Sequence, residues 1–365
     1  MKKFYALLPF LGLFLIACED DTTLPETPGP EPMEYTSGTA DFSNYVAIGN
    51  SLTAGFSDNA LFIDGQEASF PNMLASNFAL AGGGSFEIPF MADNLGGMTL
   101  GGNKIADNRY ILSFLGESPS PEVIEGQGTT EVSQKLTGTY NNMGVPGAKS
   151  YELLAPGYGS VAGVANGTAN PYFARFSSSE SATVIGDAAA QNATFFTVWA
   201  GANDILVYAT GGGTGVDQEG NLDPNSYSRN DITDTNVFAG ALNGILEAMT
   251  ANGAEGAIAN LPNVTDIPYF TTVPHNPIPL DEATAAFLNS ADAYGAYNAG
   301  LAQLQQLNII TEEELAARTI TFTPGEGNAV VIMDEDLTDL TGFNPALTNM
   351  RQATEEDRLS FFPLE

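Results

Sequence analysis

Apolar and polar positions along the chain switch between two periods, and the switches mark out alternating strands and helices. Asp41 to Ile48 closes on the apolar run Tyr45-Val46-Ala47-Ile48, which predicts a first strand running straight into Gly49-Asn50-Ser51. Phe70, Met73, Leu74 and Phe78 recur at helical spacing within Ser69 to Leu80, and Gly82-Gly83-Gly84 ends that helix. Ser85 to Gly138 is irregular and glycine-rich, with one strand-like run at Tyr110 to Leu115. That is long for a connection and predicts a functional lid or an inserted subdomain. Thr139 to Ala148 reads as a short strand leading to asparagine, then two glycines around Pro146. Ser181 to Gln191 predicts a helix. Thr194 to Trp199 is a continuous apolar and β-branched run, the pattern of a strand covered on both faces. Asp234 to Asn252 puts Phe238, Leu242, Ile245, Leu246 and Met249 on one helical face, with Gly253 placed to cap its end. Ala257 to Asn260 follows as a short strand, then Asp281 to Leu307 as a helix with an acidic start. Ile320 to Phe322 and Val330 to Met333 pair as a hairpin across Pro324 to Gly327, or Val330 to Met333 adds a strand to the main sheet.

Strands alternating with helices imply an α/β fold of three α/β/α layers around a mostly parallel sheet. In such folds ligands bind beyond the carboxyl ends of the strands, where Ser51 stands. Gly49 permits the sharp turn there, and Gly55 is expected to keep the following segment close to the sheet. The 365 residues suffice for one large domain or two small ones, and 39 glycines with 21 prolines favour many loops. Eleven Lys and Arg against 44 Asp and Glu give a formal net charge of −33, which repels phosphate backbones and argues against nucleic-acid binding. No internal repeat, metal-ligand spacing or phosphate loop stands out, so neither metal nor organic cofactor is expected. One cysteine, Cys18, rules out an intrachain disulfide, and one histidine, His275, restricts the choice of catalytic base.

The basic start Met1-Lys2-Lys3 and the apolar run Phe4 to Ala17 have the architecture of a signal peptide, and the run is short for a membrane span. Its end, Leu15-Ile16-Ala17-Cys18, resembles the bacterial lipoprotein box, which implies diacylglycerol transfer to the Cys18 thiol and cleavage before it. Glu19-Asp20-Asp21 resembles the surface-export signal of lipoproteins in the Bacteroidetes group, which implies an outer-membrane, surface-exposed protein. Pro25, Pro28, Pro30 and Pro32 stiffen the tether that follows, and about twenty such residues reach roughly 60 Å. The expected organisation is a signal peptide over 1–17, a lipidated tether over 18–40, and a folded domain over 41–365 with an insert at about 85–138.

Three stretches together resemble the SGNH family of GDSL-type hydrolases. Gly49-Asn50-Ser51-Leu52 resembles the first block and implies Ser51 as nucleophile. Asn142 to Gly147 resembles the second, which implies the Gly147 N–H in an oxyanion hole. Gly201-Ala202-Asn203-Asp204 resembles the third, which implies the Asn203 amide as a further donor. The resemblance runs from about Asn44 to Pro262 and implies a flavodoxin-like sheet and hydrolysis of an acyl ester, by a carboxylesterase, a lipase or a carbohydrate acetylesterase. Physical chemistry agrees, because fixed donors aimed at the developing oxyanion are worth about 2.7–4 kcal/mol each. Two departures stand out. Asn50 replaces the aspartate of the first block, which is not the triad acid. The family's Asp-x-x-His block is missing, since His275 lies in Thr272-Val273-Pro274-His275 without an aspartate three positions earlier. The chain stops at Phe361-Phe362-Pro363-Leu364-Glu365, which reads as an incomplete frame whose continuation carries that block. The rival expectation is a catalytically silent surface lipoprotein that binds glycans or lipids in the same cleft. Composition does not indicate an oligomeric state.

Overall fold

The computed structural model describes residues 35–115 and 119–359. The stretch expected to be signal peptide, Cys18 and the expected tether as far as residue 34 lie outside the described residues, as do the last six positions. From Ser37 onward the described residues belong to one compact unit.

Four parallel strands form the central sheet: β1 (Tyr45–Gly49), β2 (Asn142–Gly144), β3 (Phe195–Trp199) and β4 (Glu255–Ile258). Their order is β2-β1-β3-β4, so the chain steps to one side of β1 and then to the other. The reversal between β1 and β3 is the crevice where doubly wound sheets bind ligands. Register brings three strand ends level, with Gly49 opposite both Gly144 and Trp199. The segments that follow, Asn50-Ser51, Val145 to Gly147 and Ala200 to Asn203, therefore emerge at one edge.

Alternation along the strands separates the two faces. Val46, Ile48, Phe196 and Val198 pack with Val184, Ile185, Ala188, Ile245 and Met249. Those partners come from α3 (Val184–Ala189) and α5 (Thr235–Thr250). Tyr45 and Ala47 point the opposite way, toward Ala75, Leu74 and Phe78 of α2 (Phe70–Leu80). Helices thus cover both faces. Met73, assigned by spacing to the inner face of α2, is exposed, and Ala75 takes its place. Tyr45 stacks on Phe86 at 5.1 Å and its hydroxyl meets Thr197 Oγ1 at 2.7 Å, while burial pushes its ionisation up to about 12. All four residues of β4 are exposed, and its shortness limits the edge it offers to other chains.

Residues 85–138 are largely irregular, with short strands paired in small sheets. Met98–Leu100 pairs with Asn103–Ala106 and Thr130–Glu131, and Tyr110–Ser113 forms a hairpin with Ser120–Val123. The insert packs through Met91, Met98 and Val132 onto Ala54 and Leu61. Acidic side chains staple its loops: Glu131 accepts the N–H groups of Gly101 and Gly102 at 3.0 Å and the Ser133 hydroxyl at 2.7 Å. Those bonds, led by Ser133, hold its carboxyl down at about 2.

Residues 281–353 differ from the sequence expectation in two places. The long helix expected from Asp281 to Leu307 is two helices, α6 (Glu282–Leu288) and α7 (Tyr294–Gln306). The break comes where Asn289 turns its side chain to the backbone of Phe322, donating at 2.7 Å and accepting at 3.0 Å. Neither pairing expected for Val330 to Met333 forms. Val331–Met333 pairs antiparallel with Met350–Gln352, and Gly325–Asn328 pairs with Ile278–Leu280. Ile320 to Phe322 is paired with side-chain amides instead of a strand. Asn298, Gln352 and Asn289 in turn bond the N–H and carbonyl of Ile320, Thr321 and Phe322. Buried Arg318 ends α8 (Glu312–Arg318) and ties this cluster together through the carbonyls of Thr338 and Thr348, at 2.8 and 2.9 Å.

Candidate active site

Ser51 opens the one-turn helix α1 (Ser51–Ala54) directly after β1. Glycines fix its place by the side chains they lack. A Cβ on Gly49 would lie 2.4 Å from the Trp199 carbonyl oxygen, and one on Gly144 would lie 2.3 Å from the Ala54 nitrogen. The turn after β1 and the seat of α1 against β2 therefore admit no side chain at either position. At Gly55, with φ +87°, a Cβ would lie 2.3 Å from the Gly65 carbonyl, so this glycine serves the contact with the helix Ile63–Glu67. Asn142 closes this corner by donating to the Thr53 carbonyl at 2.9 Å and accepting the Gly144 N–H at 3.0 Å. Asn50 is buried, and its Nδ2 has no hydrogen-bond partner among the described residues.

The segment from Val145 to Glu152 faces Ser51 and is clamped along its length. Gly147 takes φ +77°, a left-handed conformation that favours glycine, and its N–H points to Ser51 Oγ at 3.4 Å. The three successive carbonyls of Pro146, Gly147 and Ala148 each accept a side-chain donor: Asn170, Arg229 and Asn203. Arg229 also meets Glu152 at 3.2 Å. Further along, the Ser150 N–H and hydroxyl both donate to Asp204, at 2.9 and 2.8 Å.

Asn203 starts α4 (Asn203–Thr210) at the end of β3, and is buried. Its Nδ2 donates to the Ala148 carbonyl at 2.8 Å, which uses one of its two N–H groups. Gly201, at φ +110°, leaves room for Phe238, whose ring a Cβ would meet at 2.4 Å. Ser51, Gly147 and Asn203 thus sit on neighbouring segments, linked by the Gly147 contact to the serine and by the Asn203 bond to the residue after Gly147.

Electrostatics around the loop are set by burial. Asp204 is pushed above the ordinary carboxylate range by desolvation, partly opposed by its bonds from Ser150. Lys149 is buried, and desolvation lowers its amine while its Nζ donates to the Asp231 carbonyl at 2.6 Å. Motif reading did not single out Lys149, Asp204, Asn170 or Arg229. Only Asn170 carries a local signal, as an asparagine before Pro171 at a helix start.

His275 stands apart from this corner in the chain's path. It lies between the helix Pro268–Thr271 and the strand Ile278–Leu280, and its carbonyl accepts the Val330 N–H at 3.1 Å. No hydrogen bond joins its imidazole to Ser51 among the described residues. No described group of three His, Cys, Asp or Glu is arranged to hold a metal ion, and no described helix is long and apolar enough to cross a membrane.

Comparison with family models, curated proteins and solved structures finds no match.

Proposed function

We propose that the chain is a serine ester hydrolase of the SGNH/GDSL type, with Ser51 as nucleophile. The observation that carries the reading is the Gly147 N–H held 3.4 Å from Ser51 Oγ on a loop whose flanking carbonyls are tied down. Preorganised donors beside a hydroxyl are what stabilises a tetrahedral oxyanion. In the proposed cycle a base takes the Ser51 proton while Oγ bonds to the acyl carbon. The carbonyl electrons move to oxygen, where the N–H groups of Ser51 and Gly147 and the second N–H of Asn203 receive them. Collapse breaks the ester C–O bond, the base returns its proton to the leaving alcohol, and water then releases the acyl-serine as a carboxylic acid. The substrate class is a carboxylic ester, of the lipase, carboxylesterase or carbohydrate acetylesterase kind.

His275, whose carbonyl is held by the Val330 N–H and whose imidazole makes no hydrogen bond to Ser51 among the described residues, is not assigned as the base. His275→Ala is therefore expected to leave Ser51-dependent hydrolysis of p-nitrophenyl acetate within about twofold. A loss of several orders of magnitude would make His275 the base. The placement of His275 also favours a second reading, a surface lipoprotein that binds glycans or lipids at this edge without turnover. Absence of Ser51-dependent hydrolysis, with glycan or lipid binding retained, selects that reading.

The proposed location is the outer-membrane surface, through lipid on Cys18. One acyl chain gives only reversible membrane binding, so anchoring requires the multiple chains of a lipoprotein. Cys18→Ser is expected to move the protein into the soluble fraction after a carbonate wash, and full retention in the membrane would place the anchor elsewhere.

A further inference from the structure

The peptide that presents its N–H to Ser51 is gripped at its other end by a side chain. Pro146 contributes the carbonyl of that peptide, and Asn170 Nδ2 donates to it at 2.9 Å. No peptide bond described here is cis. In a trans peptide the C=O and N–H point in opposite directions within one plane, so holding the carbonyl sets the direction of the N–H. We infer that Asn170 is a positioning residue, which aims the Gly147 N–H at the oxyanion that forms on the acyl carbon joined to Ser51. Its effect on rate rests on the ester-hydrolase reading, whereas its effect on the peptide does not.

The orientation of Asn170 is settled by its other bonds. Its Oδ1 accepts the N–H groups of Tyr172 at 2.9 Å and Phe173 at 3.3 Å, capping the short helix Pro171–Ala174. The amide nitrogen therefore faces the loop, where its two N–H groups serve Pro146 and the Tyr158 hydroxyl, the latter at 3.2 Å. Tyr158 passes the constraint on by donating to Glu152 at 3.0 Å, and Glu152 accepts the Lys149 N–H at 2.7 Å. Both ends of the Gly147 turn are thus fixed from one buried residue. A helix cap needs only the oxygen, and serine or aspartate would supply it equally well. The amide nitrogen is the part that capping does not explain. It is also what keeps the peptide facing Ser51 while Gly147 holds its left-handed conformation.

Asn170→Ser and Asn170→Asp keep the capping oxygen and delete the two donors. In the full chain, kcat on p-nitrophenyl acetate is expected to fall about ten- to a hundred-fold in both, with KM within about threefold. Affinity for an alkyl boronic acid, whose Ser51 adduct places an anionic oxygen in the hole, should fall in parallel; Tm should also fall, because the cap persists but the buried Pro146 carbonyl loses its donor. A kcat within about twofold of the parent in both variants overturns the inference. Should the parent show no Ser51-dependent turnover, the hydrolase reading fails by itself, and the aiming is then read from the Gly147 amide in 15N-labelled protein. Movement of that resonance in Asn170→Ser, with Ala148 and Ser150 in place, upholds the positioning role; an unmoved Gly147 resonance rejects it.

Discussion

Ser51→Ala is expected to abolish ester turnover while the protein melts at nearly the parent temperature. The asymmetry follows from where Ser51 sits. It is partly exposed at the start of α1, and the contact from its hydroxyl to Gly147 is long, at 3.4 Å. Losing one such bond costs on the order of 1 kcal/mol or less, and alanine is a good helix former. The chemical cost is of another order. Without Oγ there is no acyl-enzyme, and removal of a serine nucleophile lowers kcat by up to about 10⁶-fold in enzymes of this mechanism. Initial rates on p-nitrophenyl acetate and a thermal melt, taken on one preparation, check both halves. A variant that keeps a tenth of the parent rate would mean that hydrolysis does not pass through Ser51.

Asn203→Ala should cost both rate and stability. Its amide is buried and already spends one N–H on the Ala148 carbonyl. Truncation leaves that carbonyl without its donor, for about 1–3 kcal/mol of stability. The same change removes the second N–H from the oxyanion. Loss of one such donor lowers kcat by about 10²–10³-fold, with a smaller effect on KM. Because Ala148 follows Gly147, loosening its carbonyl also relaxes the turn that carries the Gly147 N–H. The drop in kcat should therefore lie toward the upper part of that range. If kcat stays within about threefold while Tm falls, Asn203 serves as a fastener of the loop and not as a donor.

The central sheet is legible in the sequence where burial is complete. Tyr45 to Ile48 is apolar, and the core of β3 apolar or β-branched, on consecutive positions because helices cover both faces. β2 has only three residues and shows through Asn142 and Gly144, the latter too close to α1 to carry a side chain. What the pattern of residues does not reveal is tertiary. The break after Leu288 depends on Asn289 meeting Phe322, thirty-three positions away. Likewise Ile320 to Phe322 looks like a strand by composition but finds side-chain amides for partners. At the site, the glycines and polar residues after β1, β2 and β3 stand out by position. The hold of Asn170 on Pro146 does not, since its local signature is a helix cap and its second task lies across the loop.

The most direct test of the account is covalent trapping at the serine. The protein is treated with a fluorophosphonate and digested, and the modified peptide is sequenced by mass spectrometry. One adduct is expected, on Ser51, forming with saturation kinetics, slowed in Asn203→Ala and absent in Ser51→Ala. Stoichiometric labelling at another residue, or no labelling of Ser51 where a known serine hydrolase labels fully, would contradict it.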